Sequence, residues 1–386
     1  MSNGFNRRKF SVKGLGNFQF LSIEPTLGSD FASVGFTQET TLNDDPSMQD
    51  LVAETGVLLD TLVQSKKVSG STSLMQSSID EFNLIRNAVG MVHALRYYGI
   101  ALQNGAWQFF CIPRARIVPK LEAGYKPGPR LLPMGFAALN QADLAFTVPE
   151  YYMLQRDAAI MTSGLMLWAA PREGLSSGTV KLLDASGWER HGTLSSNTLW
   201  QLASGVQFLR FNGTADKVDL GNVLNDDASG DFALDIWVRL QGADGSTQEI
   251  LAKKADLTTN GAGWGLYRSS ANKIVFKISD GSASASATST ASVLSNTWTH
   301  VAVSVDRNGT AQLYINGAAS GSAVSVAAIG TATNALSLLM AADGTNYGQV
   351  DLDDLRVNRW VGGSLPSDVA TQLQTNYTAC RAYYGV

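Results

Sequence analysis

Cysteine and histidine are the scarcest chemistry in this chain. Its 386 residues hold two cysteines, Cys111 and Cys380, and three histidines. A disulfide scaffold needs several cysteines at close spacing, and a zinc site needs a cluster of Cys and His ligands. Neither pattern is present, so Cys111 and Cys380 read as buried thiols in different domains. Charge is also modest: 16% of residues are charged and the net balance is −4. That balance gives no hint of a protein that holds polyanions. No apolar run approaches the ~20 residues of a membrane-spanning helix. The basic start, MSNGFNRRKFSVKG, lacks the apolar core of a secretory signal, which leads to the expectation of synthesis and folding in a cytoplasm.

What is present divides into two textures. Up to roughly Phe146 the chain mixes alternating apolar segments with one helical segment and a proline-bearing basic stretch. In SSIDEFNLIRNAVG, Ser78 and Glu81 form a capping box, Ile79, Phe82, Ile85 and Val89 share one helical face, and Gly90 suits the C-cap. Strands are expected in NFQFLSI, DFASVGFTQE, a long run over 57–74, and QFFCIPRARIVPKL. A single amphipathic helix among strands must cover a sheet. TTLNDDPSMQDLVAETG, acidic and rich in turn residues, reads as a protruding loop. FTVPEYYMLQRDAAIMTSG reads as a packed connector. The expected division is 1–150, a connector at 151–164, and 165–386.

From about Gly164 the texture is Gly-, Ser-, Ala- and Thr-rich with short alternating strands, which suggests a sandwich or jelly roll. VQFLRF, ALDIWVRL, GWGLYR, KIVFKIS and VDLDDLRVN are candidate strands. TWTHVAVSVDRNGTAQLYINGA spells a hairpin: Val301, Val303 and Val305 alternate, Arg307-Asn308-Gly309 turns, and Ala311, Leu313 and Ile315 alternate again. SASASATSTASV has the period of an exposed strand, with disorder as the competing reading.

Five segments in order resemble the laminin-G/pentraxin-like, concanavalin A-type jelly roll: DASGWERHGTL, FLRFNGTADKVDLG, FALDIWVRL, NTWTHVAVSVDRNGTAQLYINGA and VDLDDLRVNRW. The fold class implied is mainly all-β. That superfamily hosts lectins, glucanases, calcium-binding modules and spacers, so fold alone does not give function. A retaining glucanase needs two carboxylates about 5 Å apart, as in E-x-D-x-x-E. Asp351-Leu352-Asp353-Asp354 contains no Glu, and strict alternation sends Asp351 and Asp353 to one face and Asp354 to the other. The chain therefore reads as no enzyme, with Asp354 bonding backbone or Arg356. Asp226, Asp227 and the Asp343–Asn346 turn could supply calcium ligands but read better as solvated turns. Trp188, Trp264 and Tyr347 are candidates for a weak sugar site, against core or rim packing for each. His191 and His300 read as packed histidines. No cofactor and no metal is expected.

The first region is similar to the tail tube proteins of long-tailed bacteriophages, a small β-sandwich or barrel with one flanking α-helix. Three segments carry the likeness: GFTQETTLNDDPSMQDLVAETG, KKVSGSTSLMQSSIDEFNLIRNA and ARIVPKLEAGYKPGPRLLPMGFAAL. The resemblance implies a structural virion protein whose hexameric rings stack into a DNA conduit, assembled in the host cytoplasm, with other tail proteins as partners and the jelly roll as an external decoration, for which host-surface glycans are a candidate ligand. On this reading Asp44, Asp45, Asp50 and Glu54 are inter-ring loop candidates. Arg114, Arg116, Lys120, Lys126 and Arg130 are their basic partners, with a DNA-binding patch as the rival reading. Asp60, Gln64, Ser69 and Thr72 are candidates to line the lumen as a hydrated surface over which DNA passes. The alternative is a phage fibre or capsid decoration protein that binds cell-surface carbohydrate.

Overall fold

The computed structural model describes residues 8–22, 32–52, 58–75, 91–100, 107–119, 131–139, 152–156, 161–173, 176–224, 230–257, 259–332, 336–360 and 364–386. The chain forms two compact units, Met1–Gln155 and Arg156–Val386. Both are built of strands, and the all-β class holds.

The first unit contains β1 (Arg8–Ser22), β2 (Ala32–Val52), β3 (Leu58–Met75), β4 (Val92–Ile100), β5 (Trp107–Pro119) and β6 (Leu131–Ala138), with β7 (Tyr152–Arg156) at the far side of β5. The antiparallel path β4-β1-β2-β3-β6-β5 returns to β4, because β5 also pairs with β4. The six strands thus form a closed barrel, which leaves no sheet edge along the paired stretches. Tyr97, Phe109, Ile112 and Phe136 are buried, and the rings of Tyr97 and Phe110 stack at 5.2 Å. The capping-box segment lies outside the described residues. β4 carries VHALRYYGI, a strand absent from the sequence reading.

The acidic segment is no loop. β2 continues through it to Val52, paired with β3 down to Val52↔Leu58. In the register Asp44 stands opposite Arg8, and Asp45 opposite Lys67, so residue types that look like turn signals occupy paired strand positions. β1 pairs with β2 only as far as Asp44, and β6 with β3 only from Ser69. Beyond those limits, among the described residues, Asp45–Val52 and Leu58–Lys67 pair only with each other. This two-stranded arm extends about 25 Å at the usual rise per residue. Glu54 lies outside the described residues.

The second unit continues with β8 (Leu165–Ala169), β9 (Lys181–Leu182), β10 (Gly192–Leu194), β11 (Trp200–Ala203), β12 (Val206–Arg210) and β13 (Val218–Asp219). Its central strands are β14 (Asp231–Leu240), β15 (Gln248–Lys253), β16 (Gly263–Arg268), β17 (Ile274–Ser279) and β18 (Ser284–Thr288). Then follow β19 (Trp298–Val305), β20 (Thr310–Ile315), β21 (Ala318–Ala319), β22 (Val324–Ser325), β23 (Leu339–Met340) and β24 (Val350–Trp360). Two helices, α1 (Val369–Thr378) and α2 (Arg381–Tyr384), close the chain. One sheet runs β18-β17-β16-β15-β23-β13-β10-β9 and the other β11-β12-β24-β14-β19-β20-β21. Phe232 packs on Trp264 and Phe276 from the facing sheet, ring centroids 5.5 and 6.3 Å apart. The Ser/Ala run supplies β18, a strand at a sheet end.

The expected hairpin is β19–β20, with Val303 opposite Leu313. In its turn the Asp306 carboxylate accepts the Asn308 N–H at 2.9 Å and lies over Gly309, where a Cβ would sit 2.4 Å from its other oxygen and push that side chain aside. Alternation predicts one exposed face for β19, yet all eight residues are buried. The reason is the tail. Val369 and Leu373 of α1 pack with Met161, Ala233, Ala302 and Tyr314 in one apolar cluster, so the polar-looking face of this sheet is an interior.

Candidate functional site

The carboxylates of the closing strand occupy that covered face. β24 carries one extra residue opposite β14, since Asp235 pairs with Arg356 but Trp237 with Asp353. Asp354 sits in this bulge at φ 51°. A bulge resets the strand's alternation, so Asp354 turns to the same side as Asp353. This corrects the two-face expectation. Asp351 accepts from Arg210 at 2.8 Å and from Arg239 at 2.7 Å. Asp353 accepts from the Tyr384 hydroxyl at 2.7 Å and the Arg172 backbone N–H at 2.9 Å. Asp354 accepts from the Trp168 indole at 2.7 Å and Arg156 at 3.2 Å. Asp235 accepts from Arg356 at 2.7 Å and Asn376 at 2.5 Å.

Burial and charge split this set. Burial raises Asp353, and the neighbouring Asp354 raises it further against Arg172. Burial also acts to raise Asp354, but Arg156, Arg356 and Arg172 outweigh it and hold the carboxyl far below its usual range. A split pair of carboxyls is the pattern of an acid–base site. Here, however, Asp351, Asp353 and Asp354 are each 0% exposed, and the tail supplies two of the donors, the Tyr384 hydroxyl to Asp353 and the Cys380 thiol at 3.4 Å from Asp354, with Asn376 on neighbouring Asp235. Burial and Asp354 push that thiol up to about 11. The arrangement pins the tail to the sheet.

The aromatic sugar candidates are mostly core. Trp264 is buried between the sheets, and buried Trp188 donates to the Leu165 carbonyl at 3.1 Å. His191 accepts the Asp184 N–H at 3.0 Å, and His300 packs 5.2 Å from Trp237. Tyr347 alone of the three aromatic candidates is half-exposed, beside exposed Gly344, Thr345 and Asn346. The buried Asp343 carboxylate organises this turn, accepting the N–H groups of Thr345 at 3.0 Å and Asn346 at 2.8 Å. Its other oxygen accepts the Leu257 N–H at 2.9 Å, which ties the turn to the loop after β15. Ala255, Thr259, Asn260 and Gly261 of that loop are exposed. Two adjoining loops with hydroxyl, amide and aromatic groups therefore make an accessible rim. Among the described residues no three His, Cys, Asp or Glu side chains group as a metal site. Asp226 and Asp227 lie outside those residues.

Three rim groups escaped the sequence reading. Glu249 is 1% exposed, its Oε2 has no hydrogen-bond partner, and burial, then Asp343 and Asp256, raise its carboxyl to about 8. Lys254, just after β15, and Lys277 of β17 are also buried. The signal was present in LAKKAD: adjacent lysines at the end of a strand must face opposite sides.

In the barrel, Asp44, Asp45 and Asp50 lie on β2 and Asp60, Gln64, Ser69 and Thr72 on β3. Gln64 is the extra residue of a bulge, because Ser47 pairs with Ser65 and Met48 with Val63. Thr72 is buried while Ser71 is exposed. Ser69 alternates with Ser71, so Thr72 turns into the barrel and cannot share a hydrated lining with Ser69. Arg114 is half-buried and Arg116 exposed on β5. Lys120, Lys126 and Arg130 lie outside the described residues. Within the chain the register sets Asp44 opposite Arg8, Asp45 opposite Lys67 and Asp50 opposite Thr61.

Residues 212–360 match the family model of the Concanavalin A-like lectin/glucanases superfamily. The second unit is a concanavalin A-like jelly roll. Among solved structures, similarity is found to the binding domain of Paraclostridial Mosquitocidal Protein 1, at 14% identity and TM-score 0.44, over 55% of this chain and 52% of that one. The botulinum neurotoxin serotype G binding domain follows at 18% and 0.38, over 55% and 50%. Domain 4 of AbnA, a GH43 extracellular arabinanase from Geobacillus stearothermophilus, in complex with arabinotriose, gives 15% and 0.41, over 55% and 97%. The chain spans about half the length of the toxin domains. No curated protein matches it.

Proposed function

We propose that this chain is a glycan-binding structural protein of a virion, in which the jelly roll binds cell-surface carbohydrate and the barrel holds copies in an assembly. It binds sugar without cleaving it. The observation that carries this reading is the match of residues 212–360 to a superfamily that includes lectins. The rim of Thr345, Asn346, Tyr347 and the 255–261 loop supplies the kind of surface required: hydroxyls and amides for sugar hydroxyls, and a half-exposed ring for a sugar face. The carboxylates of the opposite sheet are buried and committed to arginine, tryptophan and tail donors, which favours binding over hydrolysis. A glycan array with the full chain tests the reading, and Tyr347→Ala is expected to weaken the best binder about tenfold with stability unchanged within about 0.5 kcal/mol. Binding unaffected by the substitution places the sugar elsewhere; an array with no binder ends the proposal.

The two-stranded arm of the barrel favours a second, finer reading, a tail tube subunit whose hexameric rings stack around passing DNA. An isolated two-stranded ribbon is marginal in water, and its free edges invite pairing with another copy. Negative-stain electron microscopy of the purified chain is expected to show six-fold rings or tubes on this reading. Elongated trimers would instead support a fibre.

A further inference from the structure

Asparagine followed by glycine is the pair most prone to lose its side-chain amide, because no Cβ keeps the next peptide nitrogen away from the carboxamide carbon. Four such pairs lie among the described residues, at Asn212, Asn260, Asn308 and Asn316. Three of them are locked. The Asn212 Oδ1 accepts the N–H groups of Thr214 at 2.8 Å, Ala215 at 3.1 Å and Asp216 at 3.3 Å. The Gly309 nitrogen, the nucleophile that Asn308 would need, donates its N–H to the Asp306 carbonyl at 3.1 Å. Asn316 stands at φ 50°, its Oδ1 accepting the His300 N–H at 2.9 Å.

Asn260 differs from all three. It and Gly261 are exposed, and its carboxamide makes no hydrogen bond among the described residues. A Cβ on Gly261 would meet nothing nearer than 3.7 Å, so the segment is uncrowded. The buried Ser279 hydroxyl lies 2.6 Å from the Asn260 carbonyl oxygen and 2.9 Å from that of Ala283. The Ala283 oxygen already accepts the Asp280 N–H at 3.2 Å, so the hydroxyl's one proton goes to Asn260. That oxygen belongs to the same peptide group as the Gly261 nitrogen. When the nitrogen loses its proton, negative charge spreads onto this oxygen, and a donor already aimed there stabilises it.

We propose that Asn260–Gly261 is a self-modification site, at which the chain converts its own asparagine into an aspartyl or isoaspartyl residue. The Gly261 nitrogen gives its proton to water and bonds to the Asn260 Cγ. The Cγ–Nδ2 bond breaks, and the amide nitrogen takes a proton from water and leaves as ammonia. The five-membered imide then takes up one water, and either of its two carbonyl bonds to the Gly261 nitrogen opens. The product adds a carboxylate to the loop after β15 and, in the isoaspartyl form, one extra backbone atom.

The test holds the full chain in mildly alkaline buffer and follows its tryptic peptides by mass spectrometry that separates aspartyl from isoaspartyl products. The peptide Ala255–Arg268 carries Asn260 as its one asparagine. Asn260 is expected to convert at least about tenfold faster than Asn212, Asn308 and Asn316, a barrier difference of ~1.4 kcal/mol. In urea the four should convert alike, since the fold is what separates them. Gly261→Ala is expected to slow Asn260 by about tenfold. Ser279→Ala separates two roles of the hydroxyl. Loss of an activating donor slows conversion about fivefold, the worth of one hydrogen bond, and Ser279→Thr restores the rate. Loss of a mere tether loosens the loop and speeds conversion. Asn260 converting no faster than the other three overturns the proposal, and so does a Ser279→Ala chain that converts as fast as the wild type or faster.

Discussion

Arg356→Met is expected to destabilise the second unit by about 3–5 kcal/mol, the usual cost of removing one partner from a buried ion pair. Arg356 is 0% exposed and donates to Asp235 at 2.7 Å, with Asp354 3.9 Å away. Without it Asp235 keeps Asn376 and a histidine 3.7 Å distant, and Asp354 keeps Arg156. Neither arrangement replaces a buried guanidinium between two carboxylates. Arg356 holds both carboxyls below their usual range, so stability from these pairs is present above the carboxylates' unfolded pKa. It is lost only as pH falls through their depressed folded values. Urea unfolding at neutral pH, followed by tryptophan fluorescence, measures the effect, since every tryptophan except Trp107 belongs to this unit. Adding Asp235→Asn should recover part of the loss, because the residual cost is an unpaired charge. A loss below about 1 kcal/mol would mean that the network is solvated in solution and that the tail does not seal it.

The same face shows how far the sequence could be read. The hairpin over β19 and β20 and the Asp/Arg closing strand were legible because their patterns are local: a period of two, an Asn-Gly turn, and an order of motifs. The Asp354 bulge was not, since one extra residue in a strand is visible only against its partner. Burial of Ala302 and Ser304 was equally hidden, although His300 on the same strand reads as packed. They alternate like solvent-facing residues, and a helix some 70 positions later covers them. In the barrel, Asp44 and Asp45 looked like a loop because the strand positions opposite them, Arg8 and Lys67, are distant in sequence and adjacent only in register. Trp188 and Trp264 illustrate a third limit. A tryptophan beside a turn reads alike whether it faces a sugar or the core, and both proved to be core.

Glu249→Gln is expected to stabilise the protein at pH 8 by about 2–3 kcal/mol and to leave it nearly unchanged at pH 5. Glu249 is buried with Oε2 unpartnered, faces Tyr267 across the strand pair, and feels Asp343 and Asp256. Its carboxyl is raised from 4.5 to about 8. The folded state therefore binds one more proton than the unfolded state between those values, and stability falls as pH rises through that window. The stabilisation is complete below pH ~4.5 and gone above about pH 8. At 1.36 kcal/mol per unit the full effect is bounded near ~5 kcal/mol; loop opening that lets water reach the carboxylate reduces it. Glutamine keeps the shape and removes the titration. The difference between wild-type and variant stability, measured from pH 5 to pH 9, isolates this group, because the opposing slopes of Asp235 and Asp354 cancel in it. A difference that does not change with pH would show that Glu249 is solvated, and that the interior of this rim is wetter than its geometry implies.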